Sequence, residues 1–196
     1  MVLLAIFIAV VALTQLFLTG LRVGPVALNF VLVPIVIGGI LLGPSKGGIL
    51  GLVFGAIVIY NGIINPATIT GVMLWSSWQT AVTVIIAWLF RGFAVGFFSA
   101  LIYKALRKKD SIGVIAASVA APIINTSIFI VSMFIFGNLF MRTNVFPADF
   151  EIERSLIYLI TAIIGINFLI EFLISMALSP TVYHFITAAK KGKLNG

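Results

Sequence analysis

The sequence has no cysteine, which excludes disulfides, thiolate-bound zinc and thiol catalysis. It has one histidine, His184, and no neighbouring acids with which that ring could build a metal site. Charge is scarce: 9% of the residues are charged, against about 25% in a soluble domain. A water-facing surface cannot be built from so few charges, so most of the surface must face lipid. There is no glycine-rich phosphate loop and no plausibly spaced Ser/His/Asp set. The chain is therefore not read as an enzyme, hydrolyses no ATP by itself and calls for no cofactor.

What remains is apolar. Of 196 residues, 62% are hydrophobic, and the mean hydropathy is +1.26. Lipid offers no partner for free backbone groups, so only helices or closed barrels cross it. The apolar runs are continuous and too long for the ten-residue alternation of a barrel strand. The expectation is an all-α polytopic bundle, one membrane domain over 1–196. Six helices are expected at about 1–19, 27–42, 49–64, 90–106, 112–136 and 156–187. The first run lacks a basic flank and a cleavage site, so it reads as a retained helix.

The stretch 65–88 carries no charge and holds Trp75, Trp78 and Trp88. It reads as a long apolar outer loop or part-helix. The basic residues decide against a seventh span, because they collect on the cytoplasmic face. With six helices, Lys46, the cluster Lys104, Arg107, Lys108 and Lys109, and the tail Lys190, Lys191 and Lys193 share one side, with both termini cytoplasmic. Arg22, Arg91, Arg142 and Arg154 lie opposite, with Asp149, Glu151 and Glu153. The net charge of +7 then reflects orientation, and no nucleic acid is needed.

Several residues read two ways. Gly47, Gly51 and Gly55, and Gly92, Gly96 and Ala100, repeat at four-residue spacing, which suits close helix packing inside the bundle. Glu171 is the acid inside a span, one turn after Asn167; it is a functional group or a structural hydrogen-bonding one. Arg91 is either a fixed cation for an anionic ligand or a snorkelling interfacial arginine. Asn125, Thr126 and Ser127 follow Pro122 and either line a cavity or satisfy backbone freed by the proline. Trp75 and Trp78 stack on a ligand or form an aromatic belt.

Asn29 to Pro44 (NFVLVPIVIGGILLGP) and Lys46 to Gly55 (KGGILGLVFG) resemble the second and third helices of energy-coupling factor transporter S components. These are the substrate-binding membrane subunits of vitamin importers. Ala5-Ile-Phe-Ile-Ala9 is similar to the family's AxxxA motif. Asn167-Phe-Leu-Ile-Glu171 with Pro180 is similar to the last helix of the pantothenate-type branch. Members of that branch often carry Pro-Arg before the glycine of helix four, where this chain has Phe90-Arg91-Gly92.

The resemblance implies a bacterial plasma-membrane protein that binds a vitamin, pantothenate first, from outside. It then topples when docked through Ala5 and Ala9 on a transmembrane coupling subunit driven by two cytoplasmic ATPase subunits. Expected ligand residues are Arg91, Asn29, Asn61, Asn65, Trp75, Trp78, Gln79, Asn125 and Glu171. The alternatives are an S component for another vitamin such as folate, or a secondary permease coupled through Glu171. A permease would be expected to carry repeat symmetry, and none is visible in the sequence.

Overall fold

The computed structural model describes residues 1–18, 22–23, 26–27, 30–66, 68–140 and 165–194. Its helices are α1 (Val2–Leu18), α2 (Leu32–Leu42), α3 (Pro44–Ile64), α4 (Ile69–Ser76), α5 (Trp78–Leu106), α6 (Asp110–Phe140) and α7 (Gly165–Leu194). Between α1 and α2, β1 (Arg22–Val23) pairs antiparallel with β2 (Val26–Ala27), Arg22 opposite Ala27. Among the described residues, α3, α5, α6 and α7 are long and apolar enough to cross a membrane, and Val2–Phe17 and Leu32–Leu42 are shorter apolar helices. The chain is a helical membrane bundle.

Local chemistry sets the breaks. Gly43 ends α2 with φ 95°, a left-handed conformation that costs an L-residue. Pro44 then opens α3, where its missing N–H leaves nothing unsatisfied. The α3 helix stops at Asn65, just before Pro66. Thr68 caps α4 by accepting from the Gly71 N–H at 3.1 Å. Ser77 caps α5 by accepting from the Thr80 N–H at 3.2 Å.

Those caps turn the charge-free stretch 65–88 into helix. It divides into α4 and the first turns of α5, so the fourth long helix begins at Trp78 and not near 90. The N-cap at Ser77 accounts for the difference. At 1.5 Å per residue, α4 is about 12 Å long, too short to span. The α6 helix runs on to Phe140, past the expected end at 136. The expected start of the last helix at 156, the loop 137–154 beyond Phe140, and Asn29 lie outside the described residues.

The centre of the bundle is the α3–α5 contact. A Cβ built on Gly51 would overlap the Gly92 carbonyl, and one on Gly47 would overlap that of Gly96. The glycine series therefore packs inside the bundle, backbone against backbone, as small residues allow. Around it Leu32, Ile35, Leu50, Phe54, Val95, Val114 and Val182 form the main core. A second cluster of Ile59, Met73, Val84, Ala87 and Trp88 lies beneath α4.

Candidate functional site

Ionisable side chains are rare in such an interior, and among the described residues Arg91 and Glu171 are buried. Arg91 is 8% exposed, although it sits near the middle of α5, where an unpaired cation is costly. Sequence reading placed it at the start of a helix near the outer membrane face; the early start of α5 at Trp78 puts it well inside the helix instead. Its guanidinium carbon lies 5.0 Å from the ring centroid of Trp88, 5.5 Å from that of Phe129 and 5.9 Å from that of Phe54. These distances are within cation–π range. Trp88 and Phe129 meet edge to face at 5.6 Å. Three helices thus build an aromatic cage around one cation: Trp88 from α5, Phe129 from α6 and Phe54 from α3.

The counter-charge comes from α7. Glu171 is buried, and its charge attracts Arg91. A buried charge persists only when it is compensated in this way.

Asn125 lies one turn before Phe129 on the same face of α6, and it is buried. Asn61 lies two turns beyond Phe54 on α3, about 10 Å farther toward α4. Among the described residues, Arg91 Nε, Asn125 Oδ1 and Asn61 Nδ2 are buried without a hydrogen-bond partner. Leaving such a group unmatched costs about 1–3 kcal/mol, more for a charged one. Two donors and one acceptor therefore face the interior with capacity to spare. The Nε–H is one of the donors that a bidentate carboxylate engages.

The structure buries Arg91, Asn125 and Glu171; Asn125 lies one helical turn from Phe129 of the cage, and Asn61 two turns along α3 from Phe54. Asn65, Trp75, Trp78 and Gln79 are exposed. They form a rim near α4 and make no part of the cage. Trp88, Phe129 and Phe54 were not singled out from sequence. Trp88 carried a usable signal, since it lies one helical turn before Arg91. Phe54 and Phe129 carried none among 17 phenylalanines.

Fold and site together define a helical membrane protein with a buried cation and unmatched polar atoms in its described interior. The sequence model of the family described as "ECF transporter, substrate-specific component" matches residues 1–183, and the chain belongs to that family. It is also similar to a curated protein, the pantothenic acid transporter PanT of Lactococcus lactis subsp. cremoris (strain MG1363). The two are 30% identical over 198 residues, covering 95% of this chain and 93% of the relative. Family membership makes the chain the part of a transporter that supplies substrate specificity.

Proposed function

We propose that this chain is the pantothenate-binding subunit of an energy-coupling factor importer. It crosses the membrane six times, keeps both termini in the cytoplasm and binds its ligand in the outer half. The observation that carries the reading is the caged Arg91, its Nε–H buried and unmatched among the described residues. Pantothenate has one carboxylate, an amide and two hydroxyls on a branched apolar body. The carboxylate pairs with Arg91, the aromatic rings wall the apolar part, and Asn125 and Asn61 serve the amide and hydroxyls. Asn65, Gln79, Trp75 and Trp78 are assigned to the outer rim that the ligand passes, and Asn29 remains an expected ligand residue from its sequence position. Similarity to a pantothenic acid transporter over nearly the full length supports this choice of vitamin.

Partners supply the energy. A transmembrane coupling subunit docks on α1, where Ala5 and Ala9 are both exposed, and two ATPase subunits drive it. The test is a calorimetric titration of the purified protein with pantothenate. Losing a charge-assisted bond to a buried carboxylate costs about 2–5 kcal/mol. Arg91→Ala should therefore weaken binding at least about tenfold. Unchanged affinity would move the carboxylate elsewhere, and binding of folate in place of pantothenate would overturn the vitamin.

A further inference from the structure

We propose that Thr70 on α4 is a positioning residue for the ligand site, its hydroxyl holding the Trp88 ring over the Arg91 guanidinium. The inference rests on the reading of Arg91 as the carboxylate partner.

The geometry begins with the indole. Trp88 is 2% exposed, and its N–H is a donor only, so burial obliges it to find an acceptor. The acceptor is not on its own helix. It is Thr70 Oγ1, 18 residues earlier on α4, at 3.2 Å. Of the three rings around Arg91, that of Trp88 is the nearest. A tryptophan ring can turn about its second side-chain torsion, which is broad. The hydrogen bond selects one setting, and that setting presents the ring to the cation.

An acceptor positions a ring only if it is itself fixed, and α4 is fixed at three points. The Thr68 hydroxyl donates to the Asn65 carbonyl at 2.9 Å, which joins the N-terminus of α4 to the end of α3. Gly62 lets the helices close: a Cβ there would press on Thr70 Cγ2 at 2.8 Å and on Leu74 at 2.9 Å. Met73 is fully buried among Ile59, Val84, Ala87 and Trp88. The outer surface of α4 carries the exposed Trp75. Among the described residues the anchors of α4 lie on its inner side, and a displacement of α4 is transmitted to Trp88 and then to the guanidinium. Thr70 affects affinity without touching the ligand.

The test is a double-mutant cycle on the full chain, read by calorimetric titration with pantothenate. Thr70→Val keeps the shape and removes the acceptor. Trp88→Phe keeps a ring and removes the donor. Each should weaken pantothenate roughly three- to thirtyfold, the range of a desolvated cation–π contact. The double variant should be no weaker than the worse single one, because both act on one bond. Thr70→Ser retains the hydroxyl and should bind within about twofold of the unmodified protein.

Unchanged affinity in Thr70→Val would overturn the proposal, as would losses that simply multiply in the double variant. If Thr70→Val does not accumulate, Trp88→Phe decides, and full affinity there also overturns it. Arg91→Ala separates the two levels. A loss there without one in Thr70→Val removes the positioning role alone. Full affinity in both removes the carboxylate assignment as well.

Discussion

Gly51 and Gly92 face each other across the α3–α5 contact with no room for a side chain on either. A Cβ on Gly51 would overlap the Gly92 carbonyl, and a Cβ on Gly92 would overlap that of Gly51. The obstacle is backbone on both sides, so no rotamer change relieves it. Gly51→Ala should destabilise the protein by about 1–3 kcal/mol, as overpacking does. Thermal unfolding in detergent would measure this. Because Gly92 adjoins Arg91, separating the helices should also weaken pantothenate binding. A Gly51→Ala protein with unchanged melting temperature and affinity would show that the seam can open without cost.

The two ends of α5 should report membrane orientation. Lys108 follows its C-terminal end and Ser76 precedes its N-terminal end, and both are exposed. The native chain has no cysteine, so a single introduced one is unambiguous. Basic residues gather on the cytoplasmic face. A membrane-impermeant maleimide added outside intact cells should therefore modify Ser76→Cys and spare Lys108→Cys. The opposite pattern would invert the proposed orientation and move the site to the inner half.

The legible part of this fold is what lipid dictates. Uninterrupted apolar runs marked α1 and the bodies of α2, α3 and α6, because a span needs length without charge. The expected start of the second helix at 27 falls in β2, and α3 begins at Pro44 and not at 49, because Gly43 breaks the helix there. Glu171 stood out because of the same need, as an ionisable group where ionisation is expensive, and Arg91 stood out as a cation at the expected start of a helix. The start of α5 was not legible. It depends on a Ser77 cap inside a stretch that hydropathy reads as uniform. The cage was legible only in its cation. Phe54, Trp88 and Phe129 come from three helices, and their meeting depends on how closely Gly51 and Gly92 let α3 approach α5. Thr70 depends in turn on α4, an eight-residue helix whose position comes from tertiary packing.

The α1 face should carry the partner. Ala5 and Ala9 are exposed, while Phe7 and Val11 on the other side of the helix are buried in the bundle. Small residues on an outward face let a second helix approach closely. Ala5→Trp or Ala9→Trp should abolish pantothenate uptake by cells and leave the affinity of the purified protein unchanged. Loss of binding together with uptake would make the strip part of the protein's own packing.

Glu171 and Arg91 are buried residues of opposite charge within electrostatic reach of each other, and the proposed ligand carboxylate is a second anion competing for the same cation. Removing one member of a buried pair leaves the other uncompensated, at a cost of about 3–5 kcal/mol. Glu171→Gln should therefore lower the melting temperature of the ligand-free protein. It should also remove the repulsion between Glu171 and the incoming carboxylate. Pantothenate then restores the missing counter-charge, so the rise in melting temperature at saturating ligand should exceed that of the unmodified protein, as linkage requires when affinity increases. Thermal unfolding with and without pantothenate gives both quantities from one preparation. A smaller rise than in the unmodified protein would mean that the Glu171 carboxylate touches the ligand, accepting from one of its hydroxyls, and contributes more by that bond than it costs by repulsion.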